Sequence, residues 1–153
     1  MGLAEKYMRE IKFRGKSKYV NEWYYGNYIF IDDNKNDPFR TRPIREIHKL
    51  VFWYGGDWNL GGWVEEEVIP ETIGQYTGLK DKNDKEIYEG DIILWCNKKY
   101  LVKFRSGMFY ASVEEFNEGV HGGYPLWSLV KYHDKQDCGV IVGNIYENNE
   151  EAK

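Results

Sequence analysis

The side chains of this sequence that could bind a metal or move a proton are three histidines, two cysteines and 25 Asp or Glu. Their spacing matches no known chemistry. His48, His121 and His133 form no H-x3-H or HExxH pair, and Cys96 and Cys138, 42 positions apart, form no CxxC, so zinc ligation has no local framework. Asp32, Asn34 and Asn36 alternate as in a calcium loop, but Asp37 stands at the sixth position, where Gly is needed, and Pro43 at the twelfth, where a bidentate Glu is needed. The loop at Asp81 fails in the same way, with Ile92 at its twelfth position. Both read as turns, in which Asp and Asn bond to nearby backbone N–H groups. There is no G-x-S-x-G: Ser106 falls on a hairpin tip and Ser112 on a strand. The paired glycines precede aromatic or polar strand residues rather than Lys-Ser/Thr and a helix, so they cradle no phosphate. In Glu65-Glu66-Glu67 only Glu65 and Glu67 share a face, which reads as a solvated edge blunting strand pairing. No catalytic residue, metal or cofactor is expected, and the chain reads as a non-enzyme.

Aromatic surface is what remains. Trp 6, Tyr 13 and Phe 7 make 17% of the chain, in dense groups at Trp23–Phe30 and Phe52–Trp63. Glu22–Ile31 reads as a strand throughout. One face carries Trp23, Tyr25, Asn27, Ile29 and Ile31, and the other Tyr24, Gly26, Tyr28 and Phe30. A strand of an isolated antiparallel sheet alternates apolar and polar, so this one calls for cover on both sides, by a second domain or another subunit. Trp23, Tyr24, Tyr25, Tyr28, Phe30, Trp53, Trp58 and Trp63 are the candidate interface. A second reading is nucleobase stacking beside Lys12, Arg14, Lys16, Arg40, Arg42 and Arg45.

The elements that position these residues are short strands and turns. Ile47–Tyr54 is an apolar run, Gly55–Trp63 a glycine-rich tip, and Pro70 a boundary. This divides the chain into an aromatic-rich N-terminal β subdomain, 1–70, and a C-terminal half, 71–153. Glu89-Gly90-Asp91 turns into the apolar strand Ile92–Cys96. Asn97-Lys98 and Ser106-Gly107 are hairpin turns leading to Tyr100–Arg105 and Met108–Val113. Glu114–Gly119 suggests one helical turn, and Leu126–Tyr132 and Gly139–Tyr146 read as closing strands. No 3.6-residue periodicity persists beyond about three turns. The fold class is all-β, with a small antiparallel barrel in the C-terminal half packed with the N-terminal subdomain.

Charge and length exclude further classes. The net charge is −4 with 30% charged residues, neither a disordered polyelectrolyte nor a strongly basic nucleic-acid binder. Residues 1–52 hold 11 Lys or Arg against 7 Asp or Glu, and residues 53–153 hold 10 against 18, an asymmetry that could help copies dock. Met1–Glu10 lacks the apolar run of a signal peptide and no stretch is long enough to span a membrane. The sparse cysteines read as buried thiols of a reducing cytoplasm.

Thr72–Asp91, T-I-G-Q-Y-T-G-L-K-D-K-N-D-K-E-I-Y-E-G-D, resembles the signature of YopX-like proteins of phages and prophages. Arg9–Lys16, Glu22–Gly26 and Val142–Asn148 are similar to the flanking motifs of that family. The resemblance implies an SH3-type small barrel in a phage- or prophage-encoded protein working in the bacterial host cytoplasm. It supplies no activity and no catalytic residue. Gly78, Gly90 and Asp91 read as structural turn residues of the signature; a binding loop is the alternative. The expectation is a binding protein that forms homo-oligomers or engages a host or phage protein, with nucleic acid as the alternative partner.

Overall fold

The computed structural model describes residues 9–32, 46–55, 61–113, 122–131 and 139–147. Trp58, Arg40, Arg42, Arg45, His121, His133, Cys138 and the expected turn at Glu114–Gly119 lie outside them. The chain divides into two units, Lys12–Ile73, and Met1–Ile11 with Gly74–Lys153. Both are built from antiparallel strands, so the fold is all-β.

The unit Lys12–Ile73 is a meander. Strands β1 (Phe13–Lys16), β2 (Trp23–Asp32), β3 (Glu46–Tyr54) and β4 (Gly62–Glu67) lie side by side in the order β4-β3-β2-β1. The register puts Phe13 opposite Gly26, Tyr28 opposite Leu50, and Leu50 opposite Glu66. Past β4 the chain returns to the end of β1. Lys18 N–H donates to the Glu67 carbonyl at 3.0 Å, and Ile69 N–H to the Lys16 carbonyl at 2.9 Å. Val68 N–H bonds at the same time to the His48 carbonyl of β3. These bonds give the sheet an inner face, where Leu50 and Val68 are fully buried. Gly26 lets the backbones approach there, since an added Cβ would stand 2.4 Å from the Val51 carbonyl oxygen. The 3-10 turn Pro70–Thr72 ends the unit, and Thr72 Oγ1 accepts the Lys16 N–H.

The second unit pairs β5 (Gly74–Lys80) with β6 (Glu86–Tyr88). Its five-stranded sheet runs β10-β9-β8-β7-β11, from β7 (Asp91–Trp95), β8 (Lys98–Arg105), β9 (Met108–Ser112), β10 (Gly123–Pro125) and β11 (Val140–Asn144). Neither sheet closes on itself among the described residues. The expected hairpins are present. The first tip is shifted by one residue: Cys96 and Asn97, both at positive φ, make the turn, and Trp95 pairs with Lys98. Cys96 is therefore exposed rather than a buried thiol. The second tip, Ser106-Gly107, falls where the sequence places it.

Leu126–Tyr132 is not a closing strand: Leu126–Lys131 is a helix, α1. Leu126, Leu129 and Val130 are buried at helical spacing while Trp127 is exposed. Ser128 Oγ donates to the Pro125 carbonyl and steadies the first turn. The core of this unit joins those three residues to Ile87, Ile93, Tyr100, Val102, Phe109, Ala111 and Val113.

Polar pins hold the corners. Asp81 is buried. Its Oδ1 accepts the N–H groups of Asn83 at 2.8 Å and Lys85 at 2.9 Å, and its Oδ2 that of Ile141 at 3.1 Å. The β5–β6 turn is thereby tied to β11. Asp91 accepts the Tyr88 N–H at 2.8 Å. Gly90 is at φ +86°, with the Tyr146 ring 2.9 Å from where a Cβ would stand.

Two substitutions test these constraints by urea denaturation. Asp81→Ala removes the acceptor of three part-buried N–H groups and is expected to cost about 1–3 kcal/mol, more than Asp81→Asn, which keeps one oxygen. Gly26→Ala forces β2 from β3 and is expected to cost about 1–3 kcal/mol. Unchanged midpoints would refute these roles.

Candidate interaction surface

The register sorts the aromatic residues of the N-terminal unit onto two faces. On the inner face Tyr24 packs on Phe52 and Phe13 on Tyr28, each pair with ring centroids 5.5 Å apart. Tyr28 Oη lies 2.7 Å from His48 Nδ1, and Phe30 leans on the same imidazole from a half-exposed position. The outer face carries Arg14 and Lys16 of β1, Trp23, Tyr25, Asn27, Ile29 and Ile31 of β2, Ile47, Lys49, Val51 and Trp53 of β3, and Trp63, Glu65 and Glu67 of β4. Tyr25 is 49% exposed, Trp53 58% and Trp63 67%. Trp53 and Trp63 meet edge to face across the β3–β4 pair, 5.5 Å between centroids. Of the candidate interface residues, Tyr25, Trp53 and Trp63 thus share an open face, whereas Tyr24 and Tyr28 are drawn into packing. Trp23 is half-buried.

The basic residues Lys12, Arg14 and Lys16 near this surface are buried or half-buried. The Arg14 guanidinium, buried, lies over the Trp23 ring 5.0 Å from its centroid. Lys12 and Lys16 are half-buried. The acidic run is not a fully solvated edge, for Glu66 and Glu67 are half-buried and all three carboxylates have partners on this unit. Glu65 takes Lys49 Nζ at 2.7 Å. Glu66 accepts from Ser17 Oγ at 2.5 Å. Glu67 takes Lys18 Nζ at 2.5 Å and Tyr19 Oη at 2.6 Å. The sequence could not pair these groups, because the partners lie in other strands.

One arrangement has the outline of a proton relay. Glu46 Oε2 stands 3.9 Å from His48 Nε2, and Tyr28 Oη bonds to the other ring nitrogen. A phenol used as a nucleophile needs its pKa lowered. Burial first, and the Glu46 charge second, push Tyr28 up instead, so it stays protonated and the arrangement ties β2 to β3. Among the described residues no group of three His, Cys, Asp or Glu is placed to hold a metal ion, and no helix is long and apolar enough to cross a membrane.

The signature residues lie in the second unit. Gly78 is at φ +81° beside the Arg9 side chain, and Gly90 and Asp91 form the corner into β7. That unit also carries a groove of about 230 Å³ lined by Arg105, Met108, Tyr110, Gly123, Tyr124 and Pro125, at the edge formed by β9 and β10.

A family model described as YopX protein matches residues 12–151. The crystal structure of protein EF1440 from Enterococcus faecalis is similar to this chain, with 23% identity, a TM-score of 0.50, and coverage of 95% of this chain and 100% of that one. At that identity the likeness is one of fold. No curated protein matches the sequence.

Tyr24, Tyr28 and Tyr100 all have pKa values raised above the ordinary tyrosine value of 10.0, with burial the leading cause in each. Their neutral form is favoured by folding, so this stabilisation is complete below about pH 10 and is lost as pH rises through the raised values. The melting temperature followed by circular dichroism is expected to fall above about pH 10, and less steeply in Tyr28→Phe. An unchanged slope in that variant would remove Tyr28 from the account.

Proposed function

The chain belongs to the YopX protein family, and on that premise we propose that it is a non-enzymatic binding protein that associates with itself. The observation that carries this reading is the open outer face of the N-terminal sheet, where Tyr25, Trp53 and Trp63 stand exposed beside Ile29 and Ile31. Contiguous apolar surface of this kind marks contact sites in soluble proteins. The polar side chains support binding over catalysis by where they are used. Asp81, Asp91 and Asn144 accept backbone N–H groups, and Glu65, Glu66 and Glu67 take Lys49, Ser17 and Lys18.

The finer reading is a phage- or prophage-encoded protein of the bacterial host cytoplasm, whose second unit is an SH3-type small barrel and whose further partner is a host or phage protein. The barrel reading rests on the sequential strands β7, β8 and β9 with two-residue links. Nucleic acid draws less support as a partner, because Arg14 is buried against Trp23 and Lys18 and Lys49 already face carboxylates.

Light scattering and sedimentation velocity at concentrations up to about 200 μM test the reading. The expected result is a concentration-dependent dimer or larger species. A strict monomer across that range overturns self-association.

A further inference from the structure

We propose that the groove at the β9–β10 edge of the second unit binds an extended, acidic segment of a partner protein, seating one apolar side chain on Tyr110 and one carboxylate on Arg105. The site is separate from the outer face of the N-terminal unit and does not depend on self-association. Its cavity of about 230 Å³ falls below the roughly 300–1,000 Å³ of small-molecule sites and suits a single side chain.

The backbone is the first argument, and it points to a peptide. β10 ends the sheet order β10-β9-β8-β7-β11. Val113 N–H donates to the Gly122 carbonyl, so the polar groups of Gly122 face β9. Successive residues of an antiparallel ladder alternate in this respect, so the Gly123 N–H and C=O turn away from β9. Pro125, two residues on, lies on the same outward side, where a missing N–H leaves the ladder intact. Its carbonyl takes Ser128 Oγ. Among the described residues, the outward groups of this edge are thus one donor and one acceptor, both on Gly123. They match one residue of an extended chain. They are too few for a full further strand, so the edge does not template a second sheet.

The groove floor is the second argument. The register puts Gly123, Pro125 and Tyr110 on one face. A Cβ on Gly123 would stand 2.6 Å from the Tyr110 ring, so the ring lies directly against the bare backbone of β10. A peptide residue hydrogen-bonded to Gly123 points its side chain to that same face, against the Tyr110 ring. Met108 and Pro125 flank it. Met108 and Tyr124 are 41% and 51% exposed. The Tyr124 ring is braced by Tyr100, 6.1 Å between centroids, so the rim is preformed.

Charge is the third, and it selects the kind of segment. Arg105, exposed, is the charged residue of the lining. Lys103 precedes it on the same face, opposite Tyr110. Among the described residues of β7–β11, that face carries Lys99, Lys103 and Arg105 and no carboxylate. An acidic segment is drawn to it and a basic one repelled. Side chains two residues apart share a face of an extended chain, so the carboxylate stands two positions from the apolar anchor.

Titration of the isotope-labelled full chain, followed by amide chemical shifts, tests the site. The probes are the peptide Thr-Glu-Val-Phe-Val-Glu-Thr, a counterpart with Lys in place of both Glu, and a counterpart with Ala in place of Phe. The expected result is saturable shifts of the Gly123, Tyr124 and Arg105 amides with the acidic peptide at concentrations up to about 2 mM. Affinity for either counterpart is expected to be lower by about fivefold or more. Arg105→Glu is expected to reverse the order, so that the lysine peptide binds more tightly than the acidic one. Lys98→Glu makes the same charge change at an exposed position outside the groove and is expected to leave the order as it was. No shift at these amides, or equal affinity for the acidic and lysine peptides, overturns the site. An unchanged order in folded Arg105→Glu overturns the acidic occupant. Shifts confined to Tyr25, Trp53 and Trp63 move peptide binding to the N-terminal sheet and overturn the groove. A single-stranded oligonucleotide that shifts the Gly123 and Arg105 amides where no peptide does gives the groove to nucleic acid and overturns the peptide. A monomeric wild type overturns self-association alone and leaves the groove standing.

Discussion

The return of Glu67–Ile69 to Lys16–Lys18 is the interaction on which the N-terminal unit depends. Two backbone hydrogen bonds join these segments, about fifty residues apart. Each contributes only about 1 kcal/mol net. Their consequence is geometric. Once the end of β4 is tied to the end of β1, the sheet has an inside, and strand alternation decides which ring goes there. Ser17 fixes the junction from the side-chain level: its hydroxyl donates to Glu66 and accepts the N–H groups of Tyr19 and Val20. A slip of one residue at this junction would exchange Tyr24 and Tyr28 for Tyr25 and Ile29 and invert the surface.

The other unit solves the same problem with carboxylates. Asp81 joins the β5–β6 turn to β11 across 60 positions of sequence, and Asp91 braces the corner where Gly90 takes a left-handed conformation. Asn144 closes the last turn by accepting the Tyr146 and Glu147 N–H groups. In both units short strands are held at their corners by buried polar atoms, because turns leave backbone donors that the sheet ladder does not satisfy. Those polar side chains are thereby committed to architecture.

Much of this was legible in the sequence. β2 was plain because nearly every residue in it favours a strand, and the β8–β9 turn was plain because Ser-Gly tolerates positive φ. The all-β class followed from such local signals. α1 was not legible: six residues make fewer than two turns, and L-W-S-L-V suits a strand as well as a helix. The exposure of Cys96 was lost to a one-residue difference in hairpin register, which moves a side chain from the ladder to the tip. The partners of Glu65, Glu66 and Glu67 were beyond reach because they depend on pairings 16 to 49 positions apart. The candidate surface was legible as a composition and not as a face. Local sequence located the rings, but only the register separates Tyr24 from Tyr25.

The two lysine–glutamate pairs on the outer face bear on why that face is built as it is. Exposed ion pairs add little to folding stability, so stability is a weak reason for Lys49 and Glu65 to sit together among Ile29, Val51 and Trp53. Their effect on the surface is larger. An unpaired lysine within an apolar stripe would forbid burial, because a lone charge taken out of water is costly. A paired one keeps the face hydrated and still permits burial, since its countercharge travels with it. The aliphatic stem of Lys49 can then lie flat along the strand while its ammonium stays on Glu65. A face composed this way remains wet when alone and tolerates being covered.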